Sequence, residues 1–240
     1  MMNTESTLTQ EQLASNLAHV RSAIEEAAQK AGRTAEEITL VAVSKTVPVE
    51  LVRMAYNLGV VNFGENRVQD ALPKIAEVHP QEVRWHMIGH LQSNKANKVV
   101  GPFYCVQSVD SLHLAQTLNR HAAEHGIRLP ILLQVNVSGE ASKEGISPVE
   151  TPEVARQILA LPHLEVQGLM TIAPLVQDPE EVRPVFRGLC TLRDQLRDMM
   201  PQVAWQHLSM GMTDDYRIAI EEGATIVRIG RAIFGKRIYK

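Results

Sequence analysis

The fold is decided by the segment Leu40-Val41-Ala42-Val43-Ser44-Lys45, a run of small or branched apolar residues that ends in a lysine. Such a run is typical of a strand buried on both faces, as in a parallel sheet. Because side chains alternate along a strand, Lys45 shares a face with Val41 and Val43, so its amine is expected at the rim of an apolar interior. Desolvation there lowers the pKa of an amine, which suits a lysine that forms a Schiff base. The alternative is a lysine that merely reaches solvent from a strand end.

Composition favours one large α/β domain and argues against several classes of protein. The chain has 240 residues, 45% of them hydrophobic, and no obvious linker, so residues 1–240 are expected to form a single domain. Its formal net charge of −3 is spread along the sequence, which argues against nucleic-acid binding. No apolar run approaches the roughly 20 residues of a membrane span, and the N-terminus lacks a signal-peptide core, so we expect a cytoplasmic protein away from membranes. The two cysteines lie far apart and predict neither a disulfide nor a thiolate metal site.

Strand-like and helix-like segments alternate eight times after a first amphipathic helix. That helix opens with the capping-box pattern Thr9-Gln10-Glu11-Gln12 and is expected to pack on the barrel within residues 1–35. Eight βα units in about 200 residues favour a closed (β/α)8 barrel, a TIM barrel, over an open doubly wound sheet. No GxGxxG or Walker A motif occurs to support the open sheet. Pro184 would break a helix already under way, so a helix is predicted to start near Arg183.

Two glycine-containing loops follow the seventh and eighth predicted strands, where barrels of this kind often bind phosphate. In the first loop, Ser209 and Thr213 supply hydroxyls, Gly211 permits close approach of the backbone, and a helix is predicted to begin near Thr213. The second loop, from Arg228 to Gly235, offers further backbone amides. Each loop alone is also compatible with an ordinary tight turn, but their placement on one face favours a phosphate site.

Other polar residues stand at predicted strand ends, and each has an ordinary structural alternative. Asn66, after the second strand, either orients a ring hydroxyl of a ligand or caps the next helix. His86 alternates with apolar neighbours in the third strand, so it is either a catalytic group or a core histidine with satisfied hydrogen bonds. Lys143, in the loop after the fifth strand, either has a role or is simply solvated.

The pattern His121-Ala122-Ala123-Glu124-His125 matches the inverted zinc-protease motif HxxEH, but its context argues against zinc. Apolar residues at helical spacing mark the buried side of this predicted helix, which leaves both histidines on or near the polar side. No distant third ligand stands out, so no metal site is predicted.

Seven motifs in order resemble those of the pyridoxal phosphate homeostasis proteins, and the resemblance covers nearly the whole chain after the first helix. They are Ala42-Val43-Ser44-Lys45, Phe63-Gly64-Glu65-Asn66, His86 to Lys95, Ser142-Lys143-Glu144-Gly145, Gly168-Leu169-Met170, Ser209 to Asp215 and Val227 to Gly235. The resemblance implies a barrel like the N-terminal domain of alanine racemase, a fold type III barrel that binds pyridoxal 5′-phosphate (PLP). It also implies that PLP is held on Lys45 as an internal aldimine.

By the same resemblance, the other candidate residues receive places around the cofactor. The phosphate would be surrounded by Ser209, Gly211, Thr213, Gly230 and Arg231, while Arg228 would face the pyridine nitrogen, Asn66 and His86 would flank the ring, and Met210 would pack near it. A permanently charged guanidinium beside the nitrogen keeps it unprotonated, which makes the ring a weaker electron sink.

The resemblance implies a role in PLP (vitamin B6) homeostasis and amino-acid balance without turnover of a known substrate. The expected protein is a monomeric carrier that hands PLP to PLP-dependent apoenzymes, with Lys143 assisting the transfer. The alternative is a PLP-dependent amino-acid racemase or lyase. A racemase would need a second, β-rich domain with a catalytic tyrosine, which we do not expect after the eighth unit, although Tyr216 and Tyr239 are conceivable substitutes. A third hypothesis, an aldolase-type barrel whose lysine bonds substrate directly, predicts no bound chromophore.

Overall fold

Eight parallel strands close into a barrel in sequence order, and the last strand pairs back to the first. The computed structural model describes residues 8–78, 82–140 and 143–235. The strands are β1 (Thr39–Val43), β2 (Asn62–Glu65), β3 (Arg84–Met87), β4 (Cys105–Val109), β5 (Leu129–Gln134), β6 (Leu164–Met170), β7 (His207–Ser209) and β8 (Ile226–Ile229). The predicted (β/α)8 barrel is confirmed.

Helices cover the outside of the barrel. They are α1 (Gln10–Lys30), α2 (Val49–Asn57), α3 (Val68–Glu77), α4 (Leu112–Glu124), α5 (Thr151–Leu159), α6 (Arg183–Met199), α7 (Tyr216–Glu221) and α8 (Arg231–Phe234). Short 3-10 turns occupy Ala35–Glu37, Ser93–Lys98 and Pro179–Val182, so a 3-10 segment connects β3 to β4. The start of α6 at Arg183 confirms the prediction made from Pro184. Within the described ranges, no helix is both long and apolar enough to cross a lipid bilayer.

The N-terminal helix α1 packs on the helices that flank β8. Its predicted capping box is confirmed: Gln12 N–H donates to Thr9 Oγ1 at 3.2 Å, and Thr9 N–H donates to Gln12 Oε1 at 2.9 Å. The side chain of Asn16 donates to the Ile233 carbonyl of α8 at 2.9 Å. The buried face of the helix consists of Leu13, Leu17, Val20, Ala23, Ile24, Ala27 and Ala28. Helix α1 is therefore amphipathic and buries its apolar side against the barrel.

The inside of the barrel contains a small apolar cluster and, beside it, buried polar side chains. The apolar cluster consists of Val41, Cys105, Leu132, Met170 and Ile226. The larger apolar core lies between the sheet and the surrounding helices. Barrel interiors are usually filled by layers of branched apolar residues, so buried polar groups there need a specific explanation.

Candidate functional site

Four of the predicted site segments come together at one end of the barrel. Lys45 follows β1, Asn66 follows β2, the loop from Met210 follows β7, and the loop from Gly230 follows β8. These strands are neighbours in the order β7, β8, β1, β2, and they run parallel, so their carboxyl ends share one rim. We call this rim the mouth.

Lys45 is half-buried and lies in a turn that directly follows β1. The next residue, Thr46, has a φ of +64°, in the left-handed region that a β-branched residue rarely adopts. Such a conformation costs of order 1–3 kcal/mol and persists only where the surroundings hold it in place. Strain of this kind is concentrated at functional sites, so the turn at Lys45 is a candidate on backbone geometry as well as on sequence.

Ser44, the residue before Lys45, is held through both its side chain and its main chain. Its Oγ donates to Glu65 Oε1 at 2.7 Å, and its carbonyl accepts from Lys74 Nζ at 2.6 Å. Lys74 Nζ also donates to Glu65 Oε1 at 2.8 Å, and Glu65 is fully buried at the end of β2. We call Ser44, Glu65 and Lys74 the Lys45 clamp, because their hydrogen bonds fix the backbone immediately before Lys45.

Asn66 is positioned by the loop that follows β3. A Cβ on Gly89 would lie 2.5 Å from the backbone oxygen of Asn66, so only glycine lets the two loops pack this closely. The N-cap of α3 is Arg67, and its side chain makes no cap hydrogen bond. The capping alternative for Asn66 is therefore wrong, and the residue remains a candidate ligand contact at the mouth.

The loop after β7 turns at Gly211, whose φ is +92°. A Cβ there would come within 2.6 Å of a side-chain carbon in α7, so the loop lies directly on this helix. The helix was predicted to begin near Thr213, but it begins at Tyr216. The reason is that Asp215 Oδ1 accepts the Met212 N–H at 2.6 Å. This bond holds residues 212–215 as a turn and delays the helix.

The loop after β8 lies against the strand that leads to Lys45. A Cβ on Gly230 would be 3.2 Å from the Val43 carbonyl oxygen, which is closer than most side chains tolerate. Arg231 forms an ion pair with Asp214, so the loops after β7 and β8 are tied together. Helix α8 begins at Arg231, and the first N–H groups of a helix have no partner within the helix. The first backbone amides of α8 therefore lie at the border of the mouth.

A set of hydrogen bonds crosses the inside of the barrel from β8 to β2. Arg228 Nη1 donates to Ser209 Oγ at 2.6 Å, and Ser209 Oγ lies 2.6 Å from Gln107 Oε1. Gln107 Nε2 lies 3.1 Å from His86 Nδ1, and His86 Nε2 lies 3.0 Å from Asn62 Oδ1. We call these five residues the interior network. It pairs the buried side chains of Arg228, Ser209, Gln107 and His86 with one another and directs the Ser209 hydroxyl inward, toward Arg228 and Gln107.

Arg228 is a buried cation held by neutral acceptors. It is 4% exposed, and besides the Ser209 hydroxyl it donates to the Thr171 carbonyl at 2.8 Å. Burial lowers the pKa of the guanidinium to about 10, so it is charged at neutral pH. A cation in such surroundings is screened less than one in water, and it attracts a ligand group that carries a lone pair or a negative charge.

His86 is buried in the barrel, and both of its ring nitrogens contact other members of the interior network. Its ring also meets that of Tyr104 edge to face, with centroids 5.5 Å apart. Burial, with Arg84 and His207 nearby, lowers the pKa of His86 to about 3, so the ring is neutral. The structure thus places it as a core histidine that reaches Arg228 through hydrogen bonds. Its position beside a ligand ring stays a prediction.

Gln107, Thr171 and Lys74 lie outside the set of residues predicted from the sequence. Gln107 leaves a signal, because it is a long polar residue in β4 between the apolar residues Val106 and Val109. Thr171 acts through its backbone carbonyl and Lys74 through a contact with residues far from it in sequence, so neither leaves a local pattern.

Lys143 lies after β5, on the other side of the barrel from β1 and its neighbours. Its amine is 3.2 Å from Glu140 Oε1. Ser142, which precedes it in the motif, lies outside the described residues. A cavity of about 120 Å³ is lined by Lys143 with His90, Gln134, Val135, Asn136, Glu144 and Ile172. Lys143 therefore borders a small cavity, and because its amine is buried it is not simply solvated.

The described residues contain one group of side chains close enough together to hold a metal ion. The two histidines of the HxxEH motif are hydrogen-bonded at the C-terminal end of α4, His121 to the Glu124 side chain and the C-cap His125 to the His121 carbonyl. His90, Asp110 and Glu144 bring their ligand atoms within 4.8 Å of one another, but the group is largely exposed and His90 Nδ1 already pairs with Asp110 Oδ2 at 3.0 Å. Exposed groups of this kind are common without a metal.

The barrel and its mouth belong to a recognised class. The family model described as "Alanine racemase, N-terminal domain" matches residues 15–237. The solved structure of alanine racemase from Clostridium difficile superposes with a TM-score of 0.75 at 16% identity, covering 95% of this chain and 57% of that one. At this identity the likeness shows the fold alone.

Relatives of higher sequence identity define the family more specifically. The pyridoxal phosphate homeostasis protein of Aquifex aeolicus is 44% identical over 223 residues, which cover 93% of this chain and 97% of that relative. Its Escherichia coli counterpart is 43% identical over 235 residues, covering 95% and 97%. The structure of PipY from Synechococcus elongatus with PLP bound has a TM-score of 0.83 at 38% identity, covering 93% of this chain and all of that one. The chain therefore belongs to the pyridoxal phosphate homeostasis protein family, which confirms the resemblance seen in its motifs.

Proposed function

We propose that this chain binds PLP as a Schiff base on Lys45 and holds it for PLP-dependent apoenzymes, in PLP homeostasis. The relatives bear that homeostasis name, and PipY has been solved with PLP bound. The observation that carries the proposal is the position of Lys45, which follows β1 at the rim shared with the loops after β7 and β8. One mouth thus offers both an amine and a place for a phosphate.

The residues at the mouth fit the chemical groups of PLP. At Gly211 a Cβ would lie 2.6 Å from Ala219, and at Gly230 it would lie 3.2 Å from the Val43 carbonyl oxygen, so glycine lets both loops pack closely at the mouth. We assign the backbone amides of these loops to the phosphate. Thr213 adds a hydroxyl, and Lys45 supplies the amine for the aldehyde. Arg228, charged and buried, suits the lone pair of the pyridine nitrogen.

The remaining candidates take places around these groups. We assign Met210, Asn66 and Arg231 to the ring and phosphate surroundings, on their positions at the mouth. The Ser209 hydroxyl already bonds Arg228 and Gln107, so we assign it to the pyridine end of the site.

The binding step is a reversible condensation. Lys45 would hold PLP through its amine, which would condense with the aldehyde of the cofactor with loss of one water. Attack by another amine or by water reverses the step, as a carrier requires. Bound PLP would supply an electron-accepting ring, and Arg228 beside the pyridine nitrogen would weaken this property by keeping that nitrogen unprotonated. The geometry therefore supports holding the cofactor over carbanion chemistry.

The test is the near-ultraviolet and visible absorbance of the purified protein before and after borohydride, followed by mass mapping of the reduced peptide. We expect a chromophore that reduction fixes to Lys45 and that Lys45→Ala abolishes. Lys98→Ala, at an exposed lysine of the 3-10 segment before β4, is the matched control and retains the adduct. A colourless protein that takes up no added PLP would return Lys45 to the aldolase hypothesis or to a structural role.

The racemase or lyase alternative is separated from the carrier by incubation with single amino acids. Loss of chirality or of the amino acid, abolished by Lys45→Ala, would favour an enzyme. Of the two tyrosines that such an enzyme would draw on, Tyr216 is buried at the start of α7 and Tyr239 lies outside the described residues.

Lys143 is proposed to assist transfer of PLP by transimination from the cavity that it borders. Lys143→Ala is expected to slow release of PLP to an apoenzyme while retaining the Lys45 adduct. Release at the wild-type rate would remove this role.

A further inference from the structure

The hydrogen bonds of the interior network all run in one direction. A guanidinium has donors and no acceptor, so Ser209 Oγ accepts from Arg228 and gives its only proton to Gln107 Oε1. Gln107 then presents its NH₂ group to His86 Nδ1, which must accept. The ring proton of His86 therefore resides on Nε2, facing Asn62 Oδ1. The donor-only chemistry of one arginine sets the direction of every bond.

Gln107 connects the two halves of this network. It is fully buried in β4, 2.6 Å from Ser209 Oγ and 3.1 Å from His86 Nδ1. Its amide accepts with one atom and donates with the other, as the two contacts require. A carboxylate at this position only accepts, so it would need a proton on His86 Nδ1.

We propose that Gln107 is a positioning residue for the cofactor. Gln107 Oε1 accepts the hydrogen bond of the Ser209 hydroxyl, so the Ser209 oxygen stays an acceptor for Arg228 and holds the guanidinium where it meets the pyridine nitrogen. The Thr171 carbonyl fixes a second nitrogen of the guanidinium at 2.8 Å. This role rests on the proposed function. It implies that His86 influences the cofactor through its hydrogen bond to Gln107 and not by contact with the pyridine ring.

The first test needs no cofactor. Nitrogen NMR of the PLP-free protein is expected to show His86 as the neutral Nε2–H tautomer throughout the range from about pH 5 to 8, where ordinary histidines titrate. In Gln107→Glu the proton is expected on Nδ1, with the ring titrating inside that range. Gln134→Glu is the matched control: it is a buried glutamine of β5 that bonds the Glu144 carbonyl, outside the network, and is expected to leave the His86 signals unchanged.

The second test measures PLP binding. We expect Gln107→Glu and Gln107→Met each to bind PLP at least about tenfold more weakly than the wild type, a size typical of coupled neighbours. We also expect the absorption maximum of the bound cofactor to move, because the guanidinium no longer meets the ring nitrogen. Gln107→Met removes both hydrogen bonds without adding a charge. If Gln107→Glu does not fold, the PLP affinity of Gln107→Met alone decides the test.

The outcomes separate this inference from the function on which it rests. A wild-type His86 with its proton on Nδ1, or Gln107 variants that keep the PLP affinity within twofold and the spectrum unchanged, would overturn the role of Gln107 alone. A wild-type protein that takes up no PLP would overturn the proposed function and this role with it. The expected tautomer together with weaker binding in both variants supports the proposal.

Discussion

Replacing Lys74 with methionine is expected to destabilise the protein by about 3–5 kcal/mol, because it leaves a buried carboxylate without its cation. The Glu65 side chain is 0% exposed and that of Lys74 13%, so water screens the pair little. Glu65 Oε1 would keep the Ser44 hydroxyl, while Glu65 Oε2 has no hydrogen-bond partner among the residues that the structure describes. The Ser44 carbonyl would lose its donor as well. For a chain of this length the loss corresponds to a fall in Tm of roughly 6–20 °C.

Equilibrium urea unfolding, followed by circular dichroism, measures this free energy. Arg53→Met is the matched control, because it breaks an exposed pair with Glu77 at 3.4 Å and is expected to cost less than about 1 kcal/mol. The double variant Glu65→Gln/Lys74→Met is expected to be more stable than Lys74→Met, since it buries no unpaired charge. A cost for Lys74→Met no larger than that of Arg53→Met, or a double variant less stable than Lys74→Met, would refute the reasoning about the Lys45 clamp.

Three further results are expected. Gly211→Ala should destabilise the fold more than Gly126→Ala in thermal unfolding, because both glycines have positive φ but only the first would place a Cβ 2.6 Å from a neighbouring atom; equal losses would contradict this. His86 has a pKa of about 3 in the folded protein, whereas in the unfolded chain it gains a proton near pH 6.5. The free energy of unfolding of the wild type should therefore fall relative to that of His86→Asn by about 1.4 kcal/mol per pH unit between about pH 6.5 and 3. Urea unfolding free energies that change equally with pH in the two proteins would argue against this. A thiol reagent should leave Cys105 unmodified in the native protein, since burial raises its pKa, while the half-buried Cys190 is the accessible thiol; labelling of Cys105 at the rate seen in urea would disprove this.

The order of helices and strands was predictable because each element leaves a local signal. The Thr9 capping box, the proline after Arg183 and the apolar run before Lys45 each act within a few residues, and the structure confirms all three elements. Closure of the barrel follows from the number of units and brings the loops after β7 and β8 to the same rim as Lys45. The position of the mouth could therefore be predicted from the sequence.

The contacts that support the mouth were not predictable, because they join residues distant in sequence. Gln107 reaches Ser209 across 102 residues, and Lys74 reaches Ser44 across 30. The late start of α7 depends on one side-chain contact, from Asp215 to the Met212 N–H, which competes with the helix. No periodicity in the sequence encodes such contacts, whereas the cofactor itself was suggested by family resemblance and not by the pattern of residues.

The fixed direction of the interior network also keeps this row of hydrogen bonds from conducting protons. A proton moves along a row of hydrogen bonds only if each member reverses from donor to acceptor in turn, and Arg228 at one end has no lone pair with which to begin. His86, midway, resists a second proton. Asn62, the first residue of β2, ends the row at the far side of the barrel, so this row of hydrogen bonds carries no proton from that end to Arg228.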